Sequence, residues 1–120
     1  DEEIKLRIEK INQLKFERVG QKLEVNLVAV KQNKDAGRFL EVTKLVLNNT
    51  DLPVMLMSND PVCLKQAAEA AGERKPLLYC ATKDNFAQIG QIAKEFSLPL
   101  VAVAQDIDAL AHLTKELNAL

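Results

Sequence analysis

Short apolar runs rich in β-branched and other strand-forming residues recur along this chain at a nearly fixed interval, and that interval constrains the fold more than any other feature. The runs are Leu23–Val30, Leu52–Met57, Lys75–Ala81 and Leu98–Ala104. They begin near positions 24, 52, 76 and 98, so one unit takes about 22 to 28 residues. Each run is too short for a typical helix and is followed by a stretch with helical periodicity. The stripes are Phe39, Val42, Leu45 and Val46; Leu64 with the alanine-rich segment 67–71; Phe86, Ile89, Ile92, Ala93 and Phe96; and Ile107, Leu110, Leu113 and Leu117. Punctuation agrees with this alternation. Pro53 and Pro99 stand at strand entries, where a missing N–H is tolerated. Asp60 followed by Pro61 is a helix N-cap with proline at the first helical position, and Gly72 stops that helix. Thr82 or Asp84 caps the third of these helices and Asp106 the fourth. Before the first unit, Ile4, Ile8, Ile11 and Leu14 make one more helical stripe, expected to fade near Gly20.

Four consecutive strand–helix units preceded by an N-terminal helix predict an α/β fold with a parallel sheet. The later strands read as near-continuous apolar runs, which suits a sheet covered on both faces or the wall of a closed barrel. Two architectures follow: an open doubly wound sheet, or about half of a TIM (β/α)8 barrel, since a full barrel needs about 250 residues. The chain, 120 residues long, is read as one α/β segment, 1–120, with no second domain. Tyr79 and Leu100 are expected to be buried in strands, and His112 to be solvated because it lies off its helix stripe.

Charge and cysteine usage remove several functional classes. With 16 basic against 17 acidic side chains, the net charge is −1, so neither nucleic acid nor an anionic membrane is the expected partner. No apolar run is long enough to span a bilayer. The acidic start, Asp1-Glu2-Glu3, does not resemble a signal or transit peptide, so a cytoplasmic location is expected. Cys63 and Cys80 form no C-x-x-C pair, and His112 is the only histidine. A structural metal or iron–sulfur site needs three or four such ligands, so no metal or cofactor is expected within this chain, and no catalytic residue is assigned. There is no G-x-G-x-x-G, Walker or G-x-S-x-G motif.

Three segments carry a family likeness: Leu14-Lys15-Phe16-Glu17-Arg18-Val19-Gly20, Ser58-Asn59-Asp60-Pro61 and Lys75-Pro76-Leu77-Leu78-Tyr79-Cys80-Ala81-Thr82-Lys83-Asp84-Asn85. In this order and at these separations, the chain resembles the large (gamma) subunit of the corrinoid iron–sulfur protein of the acetyl-CoA decarbonylase/synthase (carbon monoxide dehydrogenase) complex. The likeness runs over nearly the whole chain, including the helix start at Asp106-Ile107-Asp108-Ala109-Leu110, and covers an interior stretch of that subunit's central barrel. The resemblance implies a parent with a corrinoid (cobamide) and a four-iron four-sulfur cluster, both outside these residues. Such a parent carries a methyl group from methyltetrahydrofolate or a methanogenic pterin to acetyl-CoA synthase. Its implied partners are the small subunit of the corrinoid protein, a methyltetrahydrofolate methyltransferase and acetyl-CoA synthase. A homodimer of this segment is a further expectation, because half a barrel leaves unpaired edges.

In parallel α/β folds, ligands bind at the C-terminal ends of the strands. Asn59, Asp60, Lys83, Asp84, Asn85 and Asp106 are therefore the candidate rim residues. Lys83 would suit a phosphate or carboxylate near a helix N-terminus. The plainer reading is that Asp60, Thr82 or Asp84, and Asp106 only cap helices, and that Lys83 is a solvated lysine. Two alternatives to the carrier segment stand beside it. One is a fragment of a TIM-barrel pterin-binding methyltransferase, whose rim would use Asn59, Asp60 and Asn85. The other is a stand-alone flavodoxin-like interaction module.

Overall fold

A computed structural model describes residues 1–120. The first stripe forms helix α1, Glu2–Gln13, with Glu2 and Glu3 in the first turn and Lys10 in the last, as the helix dipole favours. Ile8 is buried, with Ile4 and Ile11 packed against the same core. The helix ends well before Gly20. Lys15–Arg18 and Gln21–Glu24 instead form an antiparallel hairpin, β1 and β2, pairing Phe16 with Leu23 and Glu17 with Lys22. Its turn places Val19 at φ 53° and Gly20 at φ 75°, the two positive angles of a tight hairpin turn. Glycine suits that conformation; the β-branched Val19 does not, so the sequence carries only half of the usual turn signal.

The run Leu23–Val30 is correspondingly divided between two sheets. Its first residues close β2. The chain then turns through residues 25–27 and enters β3, Val28–Lys31. Next come α2 (Ala36–Asn49), β4 (Val54–Met57), α3 (Pro61–Ala71) with a 3₁₀ turn at Gly72–Arg74, β5 (Leu77–Ala81), α4 (Phe86–Phe96), β6 (Leu100–Ala102) and α5 (Ile107–Asn118). Strands β3 to β6 form one parallel sheet in chain order, β3-β4-β5-β6. The entry prolines lose an N–H but still accept: Pro53 from Val28 N–H at 2.9 Å and Pro99 from Leu78 N–H at 3.0 Å.

Sequential order has a direct consequence. Right-handed crossovers between successive neighbours carry every helix to the same side. The register agrees: Val28, Val54, Val30, Leu56 and Leu78 occupy one buried face, joined in a single core to Phe39, Val46, Leu64, Ala67, Ala68, Ile89 and Ile92 of the helices. On the opposite face Met55, Met57, Leu77, Tyr79 and Val101 are half-buried, while Ala29 and Lys31 are exposed. The expectation of a sheet covered on both faces is thus overturned, and so is the doubly wound topology, which requires a reversal of strand order. Tyr79, expected to be buried, lies on the uncovered face. Leu100 is partly buried against the core. The Cα radius of gyration, 15.9 Å, exceeds the roughly 14 Å of a compact chain of this length, as an open layer with a projecting hairpin would.

Helix ends follow the sequence in two cases and depart from it in a third. Asp60 and Asp106 accept from the first-turn N–H groups of α3 and α5, and Gly72 takes φ 54° after α3. At α4, neither Thr82 nor Asp84 is the cap. Asn85 holds that position, and its carboxamide turns back to the end of β5. Helix α5 does not bury its expected stripe: Leu113 is buried, but Ile107 is 84% and Leu110 37% exposed. It leans on α4 at Gly90, where an added Cβ would collide with Leu120 Cδ1 and lie 3.1 Å from Leu117 Cδ2.

Candidate functional site

The C-terminal ends of β3 and β4 lie side by side, and their polar residues tie into one knot. Gln32 N–H donates to the Met57 carbonyl at 2.8 Å, extending the ladder by one step. This brings the Gln32 carboxamide oxygen against the hydroxyl of buried Ser58. Ser58 Oγ also accepts from Asp60 N–H at 2.9 Å, which fixes the entry to α3. Asp60 Oδ1 accepts from Val62 N–H at 2.9 Å, and Oδ2 from the Cys63 thiol at 3.1 Å. These donors, the thiol foremost, hold the Asp60 carboxyl below its ordinary pKa. Burial, and then the Asp60 carboxylate, push the Cys63 thiol upward; burial alone does the same to Cys80. Neither shift favours the thiolate, the form in which a cysteine acts as a nucleophile.

The remaining candidates stand outside this knot. Asn85 Oδ1 accepts from Thr82 N–H at 2.7 Å and faces the Thr82 hydroxyl at 3.2 Å, while its Nδ2 donates to the Cys80 carbonyl at 3.3 Å. Its hydrogen-bonding groups are spent on closing the loop. Asp106 Oδ1 accepts from Ala109 N–H at 2.8 Å as a cap. Asn59 is exposed. Lys83 and Asp84 are exposed too, but meet Gln105 around an opening of about 410 Å³ with an apolar floor of Val103, Ala109 and Leu113. His112 is solvated on α5, with Nδ1 3.7 Å from Glu116 Oε1. All six rim candidates follow the C-terminal ends of the adjacent strands β4, β5 and β6, and no side-chain hydrogen bond joins any two of them. The residues that do form a knot, Gln32, Ser58 and Cys63 with Asp60, span two strand ends and a helix start. Only the β3–β4 register could have revealed it.

A wider cleft, about 980 Å³, lies at the other end of the sheet. Asn12, Lys15, Glu24, Asn48 and Asp51 line it between the hairpin and the α2–β4 loop. Asn12 braces that side: its Nδ2 donates to the Asn49 carbonyl at 2.9 Å, and its Oδ1 accepts from the Thr50 hydroxyl at 2.6 Å.

The family described as CO dehydrogenase/acetyl-CoA synthase delta subunit matches residues 1–120. The chain belongs to this family. Among curated relatives, acetyl-CoA decarbonylase/synthase complex subunit gamma 2 of Methanosarcina mazei is 40% identical over 111 residues, 91% of this chain and 24% of that protein. The corrinoid/iron-sulfur protein large subunit of Moorella thermoacetica is 37% identical over 120 residues, 99% of this chain and 27% of that protein. The complex subunit gamma of Methanothermobacter thermautotrophicus is 29% identical over 120 residues. The chain thus spans about a quarter of the length of these relatives. The gamma, or large, subunit is the one the three quoted segments resemble, and the likeness extends over the whole delta-family match. No helix is long and apolar enough to cross a membrane.

The residues of this family segment do not fit an iron–sulfur cluster. Such a cluster needs four thiolates, whereas the chain has two cysteines, Cys63 and Cys80. Among the six rim candidates, Asp60, Asn85 and Asp106 are committed to caps and loop closure, whereas Asn59, Lys83 and Asp84 are exposed and make no side-chain hydrogen bond.

Proposed function

We propose that this chain is a scaffold segment, about half of a TIM barrel, within a corrinoid iron–sulfur methyl-carrier subunit of the acetyl-CoA decarbonylase/synthase complex. The observation that carries this reading is the match of residues 1–120 to the delta-subunit family and, over 99% of this chain, to a corrinoid/iron-sulfur protein large subunit, on a sheet wound in chain order with its helices on one side. A doubly wound, flavodoxin-like module would need helices on both faces. A pterin-binding rim would draw on Asn59, Asp60 and Asn85; Asp60 and Asn85 are engaged in the fold, which leaves only Asn59 of the three without a side-chain hydrogen bond.

In this reading the parent takes a methyl group from methyltetrahydrofolate or a methanogenic pterin and delivers it to acetyl-CoA synthase. Its neighbours are the small corrinoid-protein subunit and a methyltransferase. The corrinoid supplies the methyl-carrying chemistry, and both it and the iron–sulfur cluster belong to other parts of a cytoplasmic parent. The segment contributes a rigid wall: its core fixes the strand ends, and the Gln32–Ser58–Asp60 knot fixes the loops that face the parent's other parts.

Anaerobic reconstitution tests the assignment. The isolated chain is loaded with iron, sulfide and a cobamide, beside the full-length parent. Iron and cobalt analysis with visible absorption should find both groups on the parent and neither on residues 1–120. A stoichiometric cluster on Cys63 and Cys80 would overturn the proposal, as would a full-length parent that binds no corrinoid.

A further inference from the structure

We draw no further inference here: the strongest candidate, the β1–β2 hairpin that presents Phe16 and Leu23 to solvent beside the cleft at the N-terminal end of the sheet, carries nothing, because nothing in the structure shows what covers it.

Discussion

The Arg74 guanidinium donates to the Thr50 carbonyl at 2.8 Å, tying the 3₁₀ turn after α3 to the end of α2. The same group reaches the Leu47 carbonyl at 3.0 Å and the Leu52 carbonyl at 2.9 Å. One planar cation thus collects three carbonyls around a helix C-terminus, where cations are favoured. Arg74→Ala should cost about 2–3 kcal/mol, since bonds to charged groups are among the stronger ones and the carbonyls are partly buried. Arg74→Lys should recover only part of the loss, because an ammonium cannot span the three acceptors as a fork does. Urea denaturation of the three proteins checks this; equal stability of wild type and Arg74→Ala would show that water replaces the guanidinium without loss.

The Cys63–Asp60 pair yields a prediction about pH. The Asp60 carboxyl is depressed in the fold, so its contribution to stability is complete above its unfolded value and is lost as pH falls through the folded one. The Cys63 thiol is raised, so its contribution is complete below the ordinary thiol value of about 8.5 and is lost as pH rises beyond it. Stability should therefore decline at both extremes. In a Cys80→Ser background, Asp60→Ser keeps a capping oxygen but removes the negative charge, so Cys63 should ionise at lower pH. The pH profile of thiol labelling reports this directly, and an unchanged midpoint would mean that the carboxylate has no hold on the thiol.

Much of the layer order was legible because parallel β/α units carry redundant signals: apolar strands, entry prolines and Asp caps at 60 and 106. The failures have identifiable physical causes. The α1 stripe of Ile4, Ile8 and Ile11 continues in period to Leu14, which hides the start of a hairpin whose turn uses Val19 where Asn or Gly would announce it. The apolar character of Met55, Tyr79 and Val101 records a tendency to be covered, and only the three-dimensional arrangement shows that this chain leaves them uncovered. At the site, Asp60 and Asp106 were legible as caps from local spacing. Gln32 and Ser58, by contrast, are 26 positions apart and meet only through the register of β3 and β4.

Faces of the sheet should separate in a mutational series. Leu78 is fully buried and central, so Leu78→Ala should cost about 2–5 kcal/mol. Tyr79, its neighbour in sequence, points to the uncovered face, and Tyr79→Ala should cost clearly less. His112→Ala, on the solvated side of α5, should stay within about 0.5 kcal/mol of wild type. Thermal unfolding of the three variants is the measurement, and an equal loss at Leu78 and Tyr79 would mean that the second face is covered in solution.

The uncovered face leads to a prediction for the isolated chain. Met55, Met57, Leu77, Tyr79 and Val101 form an apolar surface on the side away from the helices, bounded by the two free parallel edges of β3 and β6. An edge of this kind is a template for another strand, and covering apolar surface stabilises an assembly by roughly 25 cal/mol per Å². For the isolated chain, a second copy is what can meet both needs. Residues 1–120 should therefore self-associate in a concentration-dependent way. Met57→Lys places a charge on that face, opposite the packed core, and should shift the chain toward monomer while leaving the helix content by circular dichroism unchanged. Sedimentation equilibrium over a hundredfold concentration range resolves the two proteins. A wild-type chain that stays monomeric throughout would show that water on this half-buried face costs less than the pairing of two copies.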